Sequence, residues 1–142
     1  MGKSVAIVYW TGTGNTEEMA QAFEAGVTEA GGTPKLVGVA DFSAGEVSSY
    51  DALAFGCPAM GDEELESEEF EPVWDACKEV FGGRPVMLFG SYAWADGDWM
   101  VNWKENADAA SVNVVATVTA FEAPDDDAQA ALKAAAKTLV EA

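Results

Sequence analysis

The sequence predicts an α/β fold: a five-stranded, doubly wound parallel sheet with helices on both faces. Three observations carry that prediction. Apolar runs of strand length alternate with segments whose apolar residues recur at helical spacing, the pattern of βαβ units. Within the runs the apolar residues are mostly continuous rather than alternating, as expected of parallel strands covered on both faces. A glycine-rich turn stands directly between the first run and the first helical stripe. Backbone N–H groups at a helix start point outward unpaired, and glycine lets the chain curl closely around an anion there.

The first run, Val5 to Trp10, is followed by Met19, Phe23 and Val27, one core-facing stripe of a helix. Lys35 to Val39 and Ala52 to Cys57 are the second and third runs, and Phe70, Trp74, Cys77 and Phe81 form the next stripe. The fourth run, Val86 to Gly90, leads to Trp99 and Trp103, and the fifth, Val112 to Phe121, to Leu132, Ala135 and Leu139. Pro124 and the acids Asp125, Asp126 and Asp127 suit the start of the last helix through capping and the macrodipole. At this spacing Trp74, Trp99 and Trp103 read as core, whereas Trp94, in a loop among Gly and Asp, reads as functional.

A chain of 142 residues, 49% hydrophobic and 11% aromatic, is expected to fold as one domain over residues 1–142. The apolar run at the N-terminus is too short for a signal segment, and no stretch approaches the roughly 18 apolar residues of a membrane span. A soluble, cytoplasmic protein without membrane contact is therefore expected; it is also expected to be a monomer. Cys57 and Cys77 lie 20 residues apart without a CxxC pair, and there is no histidine, so no metal site is expected and both cysteines read as buried free thiols.

The charge is extreme: 25 acids against 7 bases give a formal net charge of -18. Such a surface repels nucleic acid and anionic membranes and attracts basic faces of partner proteins, although acidity can also serve solubility alone. Residues 62–71, DEELESEEFE, hold seven acids in ten positions. They read either as a solvated loop and first helical turn or as a docking face.

The turn itself is TGTGNTEEMA, residues 11–20. A Walker loop requires Gly-Lys-Ser/Thr, which is absent. A dinucleotide fingerprint requires a third glycine where Glu17 stands after Gly12 and Gly14. What remains is Thr11, Gly12, Thr13, Gly14, Asn15 and Thr16, with no cation. Such a loop can hydrogen-bond a phosphate without neutralising it, and a mere change of direction would not need so many hydroxyl and amide groups.

On these residues, VYWTGTGNTEEMA resembles the FMN phosphate loop of flavodoxins, particularly the short-chain clostridial type. CPAMGDEELE, residues 57–66, is similar to that family's first flavin loop, and FGSYAWADGDWM, residues 89–100, to its second. The resemblance implies strand order 2-1-3-4-5, with the loops after strands one, three and four meeting at one carboxyl edge around one FMN. It implies further that residues 11–16 hold the phosphate through the hydroxyls of Thr11, Thr13 and Thr16, the Asn15 side chain and nearby amides.

The first flavin loop, by the same resemblance, contributes Pro58, Ala59, Met60, Gly61, Asp62 and Glu63. Met60 and Trp94 flank the two faces of the isoalloxazine, and Glu63 accepts from the flavin N3–H. Amides of Asp62 and Glu63 face the O4 edge. Those near Ala93 and Ala95 serve the O2 edge, with Ser91 and Tyr92 close by. Relatives commonly have glycine where Ala93 and Ala95 stand, a departure that keeps the amide donors but disfavours positive φ. The Gly61 carbonyl is expected to turn toward the flavin N5 when that atom gains a proton.

The function implied is that of a low-potential one-electron carrier rather than an enzyme. It would use non-covalently bound FMN, shuttle between semiquinone and hydroquinone, and serve redox enzymes with basic docking faces. An acidic protein and a phosphate without a basic partner should both disfavour the anionic reduced flavin. A flavin-dependent quinone reductase on the same fold is the main alternative. A phosphorylated receiver domain fails because the third strand ends Gly56, Cys57, Pro58, without an acceptor aspartate.

Overall fold

The computed structural model of the protein describes residues 3–10, 14–58, 68–92, 98–121 and 124–142. Five strands, β1 (Ser4–Tyr9), β2 (Thr33–Gly38), β3 (Ala52–Gly56), β4 (Pro85–Tyr92) and β5 (Asn113–Phe121), form one sheet. Between and after them run, among the described residues, four α-helices: α1 (Asn15–Glu29), α2 (Phe70–Cys77), α3 (Asp98–Ala109) and α4 (Asp126–Glu141). All pairings are parallel and the strand order is β2-β1-β3-β4-β5, as the resemblance implies.

Continuous apolar composition translates into burial where a strand has neighbours on both sides. Val5 to Val8 in β1, Ala52 to Phe55 in β3 and Val86 to Phe89 in β4 are fully buried. The edge strands differ: every residue of β2 is half-buried or exposed, and in β5 the exposed Thr117 and Thr119 alternate with buried Val118 and Ala120. The expectation of full cover thus holds for the three inner strands only, because an edge strand meets helices over part of its width. β5 also carries a bulge: Val86 pairs with Val114 but Met87 with Ala116, which leaves Val115 as the extra residue.

The helical stripes sort onto the two faces of the sheet. Met19, Phe23 and Val27 of α1 pack with Leu132, Ala135 and Leu139 of α4 on one face. Phe70, Trp74 and Cys77 of α2 pack with Trp99 and Trp103 of α3 on the other. Phe81 belongs to that second layer and is buried, but α2 ends at Cys77 and Phe81 sits in the turn beyond it. Between β2 and β3 the chain forms two short 3₁₀ segments, Val39–Asp41 and Ala44–Ser49, the second opened by a capping box between Ser43 and Glu46. At the start of α4 Asp125 is the N-cap, its carboxylate accepting from the Ala128 amide at 2.8 Å.

Candidate functional site at the carboxyl edge of the sheet

Three strand ends lie side by side at one edge: Tyr9 of β1 pairs with Gly56 of β3, and Gly56 with Phe89 of β4. The sheet order reverses between β1 and β3, the position at which open α/β sheets bind ligands. Segments 10–18, 57–71 and 90–98, which leave these ends, contain no lysine or arginine.

The described part of the first turn begins at Gly14, the N-cap of α1. Its φ of 96° lies in the left-handed region that favours glycine, and a Cβ there would meet nothing within 4 Å. The first intrahelical bond runs from the Glu18 amide to the Gly14 carbonyl at 3.0 Å, and Gly14, as N-cap, has no side chain with which to cap the helix. Amides of residues 15–17 therefore lie outside the helix's own ladder, at the positive end of a 15-residue helix. Asn15 opens that helix and is half-buried.

Thr16 follows at 1% exposure, and its hydroxyl lies 3.1 Å from that of Ser91, at 4% exposure near the end of β4. Among the described residues these two are the buried polar side chains of the protein. A sheet edge that buries two hydroxyls against each other beside a helix start with glycine at its N-cap is suited to an oxyanion bound by hydrogen bonds alone.

Behind this corner the backbone is packed without slack. A Cβ on Gly90 would lie 2.1 Å from the Cys57 carbonyl oxygen and 2.9 Å from the Trp99 ring. The Cys57 amide donates to the Phe89 carbonyl at 3.1 Å, and the Trp99 indole donates to the Cys57 carbonyl at 3.3 Å. The ends of β3 and β4 and the first turn of α3 are thereby tied at one point. Tyr92 contacts Trp99, with ring centroids 5.8 Å apart. Pro58 follows Cys57 and is half-buried.

Two further contacts hold the rim. The Tyr9 phenol donates to Glu17 at 3.1 Å, and burial together with this carboxylate raises its pKa above the ordinary value. The Trp10 indole donates to Glu69 at 3.2 Å, linking the end of β1 to the residue before α2. Sequence reasoning missed the Trp10–Glu69 contact and the tight packing at Gly90; a glycine closing an apolar strand run is the one signal that could have marked the latter.

Of the expected site residues, Gly14, Asn15, Thr16, Pro58, Ser91 and Tyr92 are thus placed at this edge. Thr11, Gly12 and Thr13, then Ala59, Met60, Gly61, Asp62 and Glu63, and then Ala93, Trp94 and Ala95 lie outside the described residues. Cys57 and Cys77 are buried and not joined in a disulfide, and no group of residues among those described could hold a metal ion. No helix among the described residues is long and apolar enough to cross a membrane.

The sequence matches the family Flavodoxin over residues 7–138. The chain belongs to the flavodoxin family. It is 43% identical to a flavodoxin of Megasphaera elsdenii over 122 residues, covering 86% of this chain and 89% of the relative. To a flavodoxin of Clostridium beijerinckii it is 42% identical over 123 residues, covering 87% and 89%. The solution structure of two-electron reduced Megasphaera elsdenii flavodoxin superimposes with a TM-score of 0.90 at 40% identity, over 97% of this chain and 99% of that one. The short-chain clostridial type read from the loop motifs stands. Flavodoxins bind FMN and transfer electrons rather than act as enzymes, and this member does the same.

Proposed function

We propose that this flavodoxin is a low-potential carrier that moves one electron at a time between redox enzymes, its FMN shuttling between semiquinone and hydroquinone. In this proposal residues 1–142 form one FMN-binding domain, monomeric and cytoplasmic. The supporting observation is the corner at the carboxyl edge, where a helix start with glycine at its N-cap and a buried hydroxyl pair meet in segments that hold no cation. Thr11, Gly12, Thr13, Gly14, Asn15 and Thr16 would hold the phosphate. Met60 and Trp94 would flank the ring, with Pro58, Ala59, Gly61, Asp62, Glu63, Tyr92, Ala93 and Ala95 around its edges and Ser91 joining the same site.

FMN, when bound, supplies the redox chemistry, and the protein sets how strongly each state is held. A phosphate without a basic partner, in a protein of formal net charge -18, disfavours adding a second negative charge nearby. Exposed carboxylates are screened, so no single acid dominates. The same field attracts partners with basic faces, and the acids of residues 62–71 would draw them to the flavin edge.

The test is stepwise dithionite reduction of the purified protein under anaerobic conditions, followed by visible absorption. Flavin bands that pass through a blue neutral radical to a colourless form are expected. A preparation that takes up no added FMN, or that goes directly to the two-electron state, would overturn the proposal. Steady NAD(P)H oxidation by the pure protein would point instead to a quinone reductase.

A further inference from the structure

We infer that Ser91 is a positioning residue for the phosphate, acting through Thr16 rather than on the flavin ring. This rests on the FMN reading above and deepens it. Thr16 Oγ1 and Ser91 Oγ are 3.1 Å apart, both more than nine-tenths buried, and 75 positions apart in the chain. Two hydroxyls joined by one hydrogen bond use one of their two O–H donors.

The direction of that bond decides what each can do. If Thr16 donates to Ser91, the helix end loses a donor and Ser91 carries the remaining O–H. If Ser91 donates to Thr16, the Thr16 O–H stays available beside the amides of residues 15–17, which lie outside the helix's own hydrogen-bond ladder. An anion at the helix start selects the second arrangement, because it rewards every donor aimed at it. Ser91 then holds the Thr16 oxygen as acceptor, and the two O–H groups form a chain polarised toward the phosphate.

The ring-edge role implied by resemblance and the role inferred here make different demands on Ser91. A residue at the O2 edge touches any flavin; a residue acting through Thr16 matters only when the flavin carries a phosphate. The experiment measures FMN and riboflavin affinities of the apoprotein by quenching of flavin fluorescence, in the native chain, Ser91→Ala, Thr16→Val and the double variant.

Ser91→Ala is expected to weaken FMN about tenfold and riboflavin less than about twofold. The double variant is expected to bind FMN no more weakly than Thr16→Val alone, since Ser91 has no separate route to the phosphate. Equal losses for both flavins in Ser91→Ala, or losses that add in the double variant, would overturn the inference. Should Ser91→Ala not fold, Ser91→Cys keeps the volume with a weaker donor. It is expected to give a smaller, FMN-selective loss, and an unselective one overturns the inference equally. A native chain that binds neither flavin overturns the FMN reading itself.

Discussion

The two layers packed on the sheet are built from different materials. On the α1 and α4 face the buried side chains are mostly small or aliphatic, among them Ala20, Val27, Leu132, Ala135, Ala136 and Leu139, with Phe23 stacked on Phe89. On the α2 and α3 face aromatic rings interlock among the aliphatic side chains: Phe55 meets Phe42, Phe70, Trp74 and Phe81 edge to face, and Trp103 meets Phe70 and Trp74. The first layer carries α1, whose start lies at the carboxyl edge, and the second holds Trp99, which meets Cys57 just past the end of β3. Small residues bring two helices close and fix the axis of α1. Aromatic residues add polar handles, and the indoles use them: Trp74 donates to Asn106 at 2.9 Å and Trp99 to the Cys57 carbonyl. The Trp103 indole nitrogen is buried without a partner, so that layer keeps one unsatisfied donor among the described residues.

If the aromatic layer is one interlocked unit, its centre should be the costliest place to open. Phe55 is fully buried at the hub of four ring contacts. Phe55→Ala is expected to cost about 4 kcal/mol, since it creates a cavity and removes edge-to-face pairs at once. Urea unfolding at unchanged slope would measure it, and a loss below about 2 kcal/mol would mean that the rings close over the gap.

Gly90→Ala comes next, at about 3 kcal/mol, because the added methyl meets the Cys57 carbonyl oxygen, which is backbone, at 2.1 Å. Here the expected readout is double. The fold weakens, and FMN binding weakens more than stability alone accounts for, since the same point sets where the chains after β3 and β4 leave the sheet. A variant with native FMN affinity would separate the packing knot from the site.

Much of this was legible in the sequence, for reasons that differ by element. Met19, Phe23 and Val27, or Leu132, Ala135 and Leu139, recur at 3.6-residue spacing because a helix against a sheet buries one stripe, and every one of them is buried. The 3₁₀ segments between β2 and β3 were not legible. They are short, and they depend on the Ser43–Glu46 box and on burial of Val39 and Val47 against the aromatic layer.

The site divides in the same way. Its chemistry lay in the hydroxyl, amide and glycine content of residues 11–16 and in the loops that resemble those of flavodoxins. The partnership of Thr16 with Ser91 did not, because a contact across 75 positions is a property of topology. One trace was present: Thr16 falls three residues before Met19, on the buried stripe of α1, where a polar residue calls for a partner.

Cys77 sharpens the comparison through pH. It sits in the aromatic layer, where burial first and Glu46 second push its thiol up to about 12 from an ordinary 9.0. The folded state therefore keeps the proton that the unfolded chain releases near pH 9, and stability falls as pH rises from about 9 toward about 12. Below pH 9 this contribution is fully present. The native chain is expected to lose stability faster than Cys77→Ala across that window, and to resist thiol reagents at neutral pH while folded. Parallel pH profiles would show that the layer admits water.

The smallest effect belongs to the other layer and tests whether α4 depends on its cap or on its packing. Asp125 is exposed, and its carboxylate satisfies the Ala128 amide at 2.8 Å at the start of a 16-residue helix. Asp125→Ala is expected to cost about 1 kcal/mol, through the lost hydrogen bond and the lost negative charge at the helix N-terminus. Asp125→Asn, which keeps a capping oxygen without the charge, should recover most of it at moderate salt. FMN affinity should not move, because Asp125 lies at the start of α4, whereas α4 meets α1 through an apolar seam further along the helix. A fall in affinity as large as the fall in stability would mean that α1 is held in place by the start of α4, and not by the small-residue seam between the two helices.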